Sequence, residues 1–418
     1  MKTNLLTGFI LFLIVSNGFA QIPQSPDKVN SNGQRDGIWT ILYNKDWKEP
    51  GKSDTAAYYR IVTFLDGKPA GMVRDYYLSG KIQWEGKLKS IDPDLFDDGT
   101  CFWYYENGIT KSTVNYLNEK PNGEYRENYS DGKVAVNGSM KNGFRDGLFI
   151  YFHPNGEIFS KRLFHQDSLW SVEFTKDSHG RLLKTGDLIK GCGNFTDYFR
   201  TGKKSGKGNY ENGVKEGTWT FYFNNGALAS QGNFVNGLKD GLWKEYERSK
   251  GWWQGNYIKG KSEGQWIYYD SDGHILIEGV VKNDIQNGFW KYYDENGDWC
   301  EGVIIDGKQE RKWVYWYSTY REHGELLYIN GNKEGNCIWW YKNGKLCREG
   351  HYKNDVGEGF WKQYNEDGSW AEGVYSDGKQ EGEWKEFRSD GKYRKSRYYK
   401  NGHKQKRNPA VSGQGVFN

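Results

Sequence analysis

The chain has 418 residues, carries a formal net charge of +4, and is 36% hydrophobic and 17% aromatic. Acidic and basic residues alternate along it, and so small a net charge argues against a protein that binds nucleic acid. Aliphatic residues are sparse, which argues against a thick globular core and favours a thin structure packed by Trp and Tyr. The 55 glycines against 8 prolines indicate frequent turns without the charge imbalance of a disordered chain.

The first residues have the pattern of a secretory signal peptide. Lys2 gives the positive start, an apolar run extends from Leu5 to Val15, and Gly18-Phe-Ala20 forms a small-x-small cleavage site. The run is too short to span a bilayer comfortably. We therefore expect residues 1–20 to be cleaved and the mature chain to be secreted or periplasmic. A retained N-terminal anchor is the alternative.

A glycine followed two residues later by an aromatic residue recurs every 23 or 24 residues along most of the chain. The copies with tryptophan begin at Gly37, Gly217, Gly241, Gly264, Gly288, Gly359 and Gly382, and further copies begin at Gly71, Gly99, Gly123, Gly147, Gly193 and Gly335. Arg311 replaces the glycine before Trp313, and a degenerate copy lies near Trp170. A fixed period of this length predicts an array of stacked units. The period also disfavours an enzyme, because an array distributes its functional side chains evenly along the chain instead of concentrating them in one active site.

An Asn-Gly or Asp-Gly pair lies between the two aromatic runs of a unit, which is the strongest short signal of a β-hairpin. Examples are Asn107-Gly108, Asn155-Gly156, Asn225-Gly226, Asn296-Gly297, Asn343-Gly344, Asp272-Gly273 and Asp367-Gly368. We predict two-residue turns in which both central residues have positive φ. Around residues 225 and 226 such a turn places Trp219 opposite Gly232, so that the indole covers a bare glycine. It also places Tyr222 opposite Ala229.

Trp219 and Tyr222 are three residues apart, which places them on opposite faces of a flat strand. Because most units repeat both aromatic residues, two aromatic ladders should follow the array, one on each face. The internal ladder packs neighbouring units together. The outer ladder is the predicted binding surface, and its candidate residues are Tyr222, Tyr246, Tyr269, Tyr293, Trp316, Trp340 and Tyr364.

The predicted fold class is all-β: an elongated, twisted array of about fifteen stacked β-hairpins. Residues 21–36 are interpreted as a linker. N-terminal repeats are predicted over 37–156, a degenerate repeat or joint over 157–192, and the most regular repeats over 193–402. Residues 403–418 are expected to form a flexible basic tail.

Three segments carry a family resemblance: Gly232–Trp243, Gly255–Trp266 and Gly373–Trp384. Each has a glycine followed two residues later by an aromatic residue, then a turn glycine, then an acidic residue before Gly-x-Trp. They resemble MORN repeats, and the tryptophan is typical of the bacterial variant found in the YwqK-type antitoxin family. The resemblance covers nearly all of residues 33–402. It implies stacked hairpins and a role as adaptor, membrane-associated scaffold or antitoxin, without shared catalytic residues.

The sequence predicts no catalytic residue, no cofactor and no metal site. The seven histidines have no regular spacing and form no HExxH pair. Cys337, Cys347 and His351 lack the CxxC-like spacing of a zinc site, and the cysteines are interpreted as structural. The acidic turn 294–298 lacks the glutamate at the twelfth position of a calcium loop. An enzyme would need a cluster that breaks the repeat, and only residues 157–192 leave room for one.

The function we expect is that of a secreted or periplasmic, non-enzymatic scaffold that presents one face to a protein partner, since Trp and Tyr are enriched in binding hot spots. One alternative, implied by the resemblance, is an antitoxin or immunity protein. Another is binding to a carbohydrate or membrane surface through the outer ladder. Neither nucleic acid nor a small-molecule substrate is expected.

Overall fold

The computed structural model describes residues 22–50, 55–248 and 250–406. The predicted signal peptide at 1–20 and the part of the predicted tail from residue 407 onward lie outside them. The described residues form β-strands and turns and contain no α-helix, so the all-β prediction is confirmed. It follows that they offer no helix with the length and apolarity to cross a membrane.

The chain divides into two compact units. The first unit runs to Lys215 and includes the turn Asn224–Gly226, and the second unit comprises Glu216–Phe223 and the residues from Ala227 onward. In both units, hairpins that are consecutive in sequence pair with one another. The prediction of stacked hairpins is therefore confirmed, whereas the elongation, the twist and the domain boundaries stay predictions.

The strands of the first unit are β1 Gly37–Tyr43, β2 Tyr58–Leu65, β3 Lys68–Tyr77, β4 Ile82–Gly86, β5 Leu88–Ile91, β6 Asp94–Phe96, β7 Gly99–Tyr104, β8 Thr110–Leu117, β9 Lys120–Asn128, β10 Val134–Lys141, β11 Phe144–Arg145, β12 Gly147–Phe152, β13 Ile158–His165, β14 Ser168–Thr175, β15 Gly193–Tyr198 and β16 Lys204–Glu211. An antiparallel sheet runs in the order β1-β2-β3-β4-β7-β8-β9-β10-β12-β13-β14, with β11 beside β10. β5 and β6 form a separate hairpin, and β15 pairs with β16. Residues 176–192 form turns and isolated bridges.

The strands of the second unit are β17 Val214–Tyr222, β18 Leu228–Val235, β19 Leu238–Glu247, β20 Gly251–Ile258, β21 Lys261–Asp270, β22 Ile275–Lys282, β23 Ile285–Tyr293, β24 Trp299–Ile305, β25 Lys308–Trp316, β26 Glu322–Ile329, β27 Asn332–Trp340, β28 Leu346–Lys353, β29 Val356–Tyr364, β30 Trp370–Ser376, β31 Lys379–Phe387, β32 Tyr393–Lys400 and β33 His403–Lys404. They lie side by side in sequence order. The strands contain many aromatic and β-branched residues, which favour a pleated sheet.

Two kinds of turn alternate along this sheet, and the Asn-Gly pairs form the longer kind. At Asn225-Gly226 positive φ is confined to Gly226, at +93°. The Phe223 N–H donates to Ala227 O at 2.8 Å, which closes a three-residue loop with a left-handed glycine at its end. The prediction of a two-residue turn at these pairs is therefore wrong.

The two-residue turns lie at the opposite ends of the strands. Asn236 and Gly237 have φ of 51° and 79°, and Val235 pairs with Leu238 across them. Positive φ at both central residues is the mark of a type I′ turn, whose twist matches that of the flanking strands. The I′ turn thus joins one repeat to the next, and the Asn-Gly loop closes each hairpin.

The register around Trp219 is partly as predicted. Trp219 pairs with Gly232, which confirms that prediction, but Tyr222 pairs with Leu228 instead of Ala229. The cause is a bulge beside the longer loop, between Phe221 and Tyr222.

The indole that covers Gly232 comes from the next strand. A Cβ built on Gly232 would lie 2.2 Å from Cδ2 of Trp243, so Trp243 covers the glycine that faces Trp219. A second bulge makes this possible, because the pairing of β18 with β19 shifts register between Gln231 and Asn233.

Buried indoles form the core of the second unit along one face of its sheet, which we call the indole face. Its buried tryptophans are Trp219, Trp243, Trp266, Trp290, Trp313, Trp361 and Trp384, with Cys337 in the equivalent place of one repeat. Rings from the intervening strands meet them edge-on: the Phe234 and Trp243 centroids are 5.1 Å apart at 90°, and those of Tyr375 and Trp384 are 5.3 Å apart at 90°. Edge-to-face pairs of this kind are favourable beyond the area they bury, so each repeat is held by its neighbours.

Candidate binding surface

The opposite side of the same sheet, which we call the second face, has a regular layout that is clearest in β23 and β24. Its cross-strand pairs there are Phe289–Val303, Lys291–Glu301 and Tyr293–Trp299. These residues share a face because Cβ atoms alternate along a strand and Trp290 points to the indole face. The Lys291 Nζ lies 3.0 Å from Glu301 Oε2. An apolar pair with an exposed phenylalanine, an ion pair and a ring pair thus follow one another towards the loop.

The hairpin of β29 and β30 repeats this layout three repeats further along. Its pairs are Phe360–Val374, Lys362–Glu372 and Tyr364–Trp370. The side chains of Phe289 and Phe360 are 48% and 54% exposed. Two large rings of the same type therefore lie at the same register position of separate hairpins, open to solvent.

The seven predicted residues of the outer ladder are all half-buried, and the structure brings five of them into ring clusters. Trp252 stacks on Tyr269 at 5.0 Å and 17° and contacts Tyr246 at 5.9 Å. Trp299 stacks on Trp316 at 5.7 Å and 14° and lies 6.4 Å from Tyr293.

The third cluster contains Tyr364, whose ring lies 6.3 Å from that of Trp370, and Trp370 in turn stacks on Phe387 at 4.8 Å. Tyr222 and Trp340 occupy the same register position but pair with Leu228 and Leu346. The predicted ladder is thus a series of clusters, each built where a tryptophan is the first or second residue of the second strand of a hairpin.

Sequence reasoning missed the residues on which these clusters depend. Trp252, Trp299 and Trp370 lie just after the loop of their hairpins, and the exposed Phe289 and Phe360 occupy the x of Gly-x-Trp. The signal was present in the repeat, because an aromatic residue at either place stands out once the units are aligned on their anchor glycines.

Six segments of the chain match the family described as MORN repeat variant: 97–118, 145–166, 215–236, 262–283, 333–354 and 380–401. This chain carries MORN repeats. In the second unit, a matched segment contains the first strand, the longer loop and the second strand, and it ends at the type I′ turn. The finer similarity to the YwqK-type antitoxin family stays a prediction.

No curated protein matches the sequence. Among solved structures, the chain is similar to a chain in the crystal structure of TcdB2-TccC3-Cdc42 and to BamB from Moraxella catarrhalis, both at 10% identity. The first comparison covers 86% of this chain and 20% of the other, with a TM-score of 0.15. The second covers 84% and 96%, with a TM-score of 0.18. This chain therefore spans about a fifth of the length of the first chain, and at these TM-scores neither likeness bears on fold or function.

The acidic residue before the anchor glycine of a MORN repeat caps the next type I′ turn. Glu263 Oε2 accepts the backbone N–H of Asn283 at 2.8 Å, and Glu334 Oε1 accepts that of Asn354 at 3.0 Å. The role of these carboxylates was not predicted, although their recurrence twenty residues before a turn residue is visible in the sequence. They are engaged in joining one MORN repeat to the next.

Tyr293 and Tyr364 on the second face have a raised pKa, so that both hydroxyls remain protonated near neutral pH. Burial, followed by the bond to Glu278 Oε1 at 3.0 Å, raises the pKa of Tyr293 to about 12. Burial and the neighbouring Glu349, which accepts the hydroxyl at 3.1 Å, raise the pKa of Tyr364 to about 12. These hydroxyls act as fixed hydrogen-bond donors, which suits a surface that binds.

One group of acidic residues and histidine lies close enough to hold a metal ion within the described chain: Asp270, Asp272 and His274, whose ligand atoms are all within 4.8 Å of one another. Asp270 already serves the turn, since its Oδ1 accepts the N–H of Asp272 at 2.9 Å and of His274 at 2.8 Å. Cys337, Cys347 and His351 do not form such a group, and all five cysteines are free thiols.

Proposed function

We propose that this MORN repeat chain is a non-enzymatic interaction scaffold that works outside the cytoplasm and binds a protein partner through the second face of its second unit. The observation that carries the proposal is the exposure of Phe289 and Phe360 at matching register positions, each in line with an ion pair and a ring cluster. The surface offers a partner two aromatic anchors at the same register position, three repeats apart.

The layout resembles what protein interfaces require. Binding energy in such interfaces concentrates in a few large aromatic side chains, and neighbouring polar contacts exclude water from them. On the second face the exposed phenylalanines supply the anchors. The Lys291–Glu301 and Lys362–Glu372 pairs, at 3.0 and 3.7 Å, supply a polar surround that is neutral in sum.

A protein is favoured over a membrane because Lys291 and Lys362, which lie beside the exposed rings, are matched by Glu301 and Glu372. An anionic lipid surface selects clusters of unpaired Lys and Arg. A glycan is less favoured on this face because the clustered rings stack on one another, as Trp299 does on Trp316, which leaves less flat ring area for a sugar.

Export is supported by the charged start, apolar run and cleavage pattern of residues 1–20. The resemblance to YwqK-type antitoxins supports a narrower version of the proposal, in which the partner is a toxin and the chain is its immunity protein. The identity of the partner separates that version from a general scaffold.

The experiment compares protein capture by the tagged mature chain and two double variants from extracts of the source organism. F289S/F360S removes the proposed anchors. F144S/L182S is the matched control, because Phe144 is 49% exposed and Leu182 is also exposed, but both lie in the first unit. Folding of each variant is checked by circular dichroism.

We expect one protein to be retained by wild type and control and lost from F289S/F360S. Equal retention by both double variants would overturn the proposed surface. Binding to glycan arrays or liposomes with no retained protein would replace the protein partner with a carbohydrate or membrane surface.

A further inference from the structure

A continuous row of side chains crosses the second face between the exposed phenylalanines and the ring clusters. We call it the charged row. Each of its residues pairs with the next one on the adjacent strand, and paired residues in adjacent strands lie on the same face. From β21 to β30 the row consists of Ile267, Glu278, Lys291, Glu301, Val314, Glu325, Ile338, Glu349, Lys362 and Glu372.

The same four residue types follow one another twice in the charged row. Isoleucine, glutamate, lysine and glutamate occupy β21 to β24, and the same order returns in β27 to β30. Phe289 comes two residues before Lys291, and Phe360 comes two residues before Lys362. Each exposed phenylalanine therefore lies beside two glutamates and one lysine.

One carboxylate in each set forms no ion pair with the described chain. The lysine pairs with the second glutamate of its set, at 3.0 Å in the first set and 3.7 Å in the second. The first glutamate, Glu278 or Glu349, accepts a tyrosine hydroxyl at 3.0 or 3.1 Å. A carboxylate has lone pairs for about four hydrogen bonds. Both glutamates can therefore still accept a donor from outside the chain.

The hairpins do not themselves require a carboxylate at this position. In the two preceding hairpins the same position holds Gln231 and Gln254, which pair across the strands in the same way. Glutamate takes this position from Glu278 onward, and the first exposed phenylalanine, Phe289, lies on the next strand. The negative charge at this position thus begins where the aromatic anchors begin.

A groove of about 450 Å³ opens at the second of the two sets. Phe360 and Ile338 are apolar groups of its lining. Glu325 and Lys362 also line it, and both are engaged in ion pairs with neighbouring residues, whereas Glu349 is not. The groove therefore offers apolar surface for a long side chain and one open carboxylate for its end.

The lysines near the type I′ turns do not neutralise the open carboxylates. Lys282 and Lys353 lie four residues beyond Glu278 and Glu349 along the same strands, which corresponds to about 13 Å of extended chain. Exposed charges at that separation are largely screened, because the screening length at physiological ionic strength is about 8 Å.

We propose that the protein partner of the second face is basic at two points, placing one lysine or arginine side chain against Glu278 and another against Glu349. The inference rests on the proposed function, because it takes the second face as the docking surface. The methylene stem of such a side chain packs on apolar surface, and its charged end donates to a carboxylate. An acidic partner would be repelled, and a wholly apolar partner would bury both carboxylates without a donor, which is unfavourable.

The test is selection of short random peptides by phage display on the full mature chain, followed by calorimetry with the enriched peptides. Glu278→Gln combined with Glu349→Gln removes both charges but keeps an acceptor for each tyrosine hydroxyl. Glu295→Gln combined with Glu366→Gln is the matched control. These two glutamates are exposed in the loops of the hairpins that carry the phenylalanines and lie outside the charged row.

We expect the enriched peptides to carry lysine or arginine beside an apolar residue. Their affinity should fall about tenfold in E278Q/E349Q, as expected for the loss of charged hydrogen bonds, and it should also become less sensitive to salt. E295Q/E366Q should bind as wild type does. Circular dichroism checks the fold, and the single variants are measured if E278Q/E349Q does not fold.

The inference would be overturned if no peptide is enriched, if the enriched peptides lack basic residues, or if the control loses as much affinity as E278Q/E349Q. Binding that is lost in F289S/F360S but unchanged in E278Q/E349Q would reject the basic partner and leave the proposed surface standing. Binding that survives in F289S/F360S would contradict the proposed surface and the inference together.

Discussion

The indole of Trp361 lies directly on Gly350, so that a Cβ added to this glycine would be 2.1 Å from Cδ2 of the ring. The same relationship joins Gly279 to Trp290 and Gly373 to Trp384. In each case the glycine belongs to one hairpin and the tryptophan to the next. The indole can therefore lie flat across each repeat boundary only because the residue beneath it is a glycine, which has no Cβ.

Gly350→Ala should destabilise the second unit by about 1–3 kcal/mol, the usual cost of forcing extra atoms into a packed core. Gly357→Ala is a matched control near the same indole, since its Cβ would lie 3.4 Å from Trp361 and its φ is not positive. It should change stability by less than about 1 kcal/mol. Urea unfolding followed by circular dichroism compares the two, and equal losses would show that the indole does not need the glycine.

The carboxylate cap on the type I′ turn predicts a local effect. In Glu334→Ala the backbone N–H of Asn354 loses its acceptor, at a cost of about 0.5–1.5 kcal/mol. Amide hydrogen exchange should accelerate at Asn354 and the adjoining turn residues. Asn332→Ala, an exposed change in the same strand, should leave that exchange rate as it is. Unchanged exchange in E334A would mean that water replaces the carboxylate without loss.

Because of the aspartates in its turns, the folded chain should become less stable in acid. The backbone N–H of Ser262, and then its hydroxyl, lower the pKa of Asp284 through bonds of 2.7 and 2.9 Å. A carboxyl group whose pKa is lower in the folded chain than in the unfolded chain, where it is about 4, stabilises the fold at pH values above 4. That stabilisation is lost as the pH falls through the folded pKa.

Thermal unfolding measured from pH 7 to pH 2 should therefore show a melting temperature that falls at the acid end. Asp284→Asn keeps an acceptor oxygen but does not titrate, so its melting curve should depend less on pH than that of wild type. Identical pH dependence in the two proteins would contradict a contribution from this carboxylate.

Buried cysteines should react more slowly with thiol reagents than exposed ones. Burial raises the pKa of Cys101 and of Cys337 to about 11, and the thiolate is the reactive form. Iodoacetamide at pH 8 should modify the exposed Cys192 in the native chain and reach Cys101 and Cys337 only after unfolding. Peptide mass spectrometry measures the order, and early modification of Cys337 would contradict the buried core of the second unit.

The repeat made the hairpins and the pairing of Trp219 with Gly232 predictable, because the aromatic and glycine spacing fixes the register. That pairing did not predict which indole covers Gly232, because a bulge between β18 and β19 shifts the register and places Trp243 over the glycine. The loop at Asn225-Gly226 was wrongly assigned, because Asn-Gly also suits a three-residue loop in which the glycine alone is left-handed.

The sites were less visible in the sequence than the fold. Tyr293 and Trp316 were predicted, but Trp299, which contacts both, was not, because it occupies a different position of the repeat. The ion pair of Arg60 with Asp94 in the first unit was not predicted either, because the contact spans 34 residues and has no motif. Both residues lie in the range 37–156, in which the sequence marks no functional residue.

Hydroxyl-radical footprinting of the chain with its captured partner tests the proposed binding surface most directly. Oxidation of Phe289, Phe360 and the Trp299 cluster should fall on binding, while oxidation of Phe144 in the first unit should stay the same. Protection confined to Phe144 or to other residues of the first unit, with Phe289 and Phe360 oxidised as in the free chain, would contradict the account.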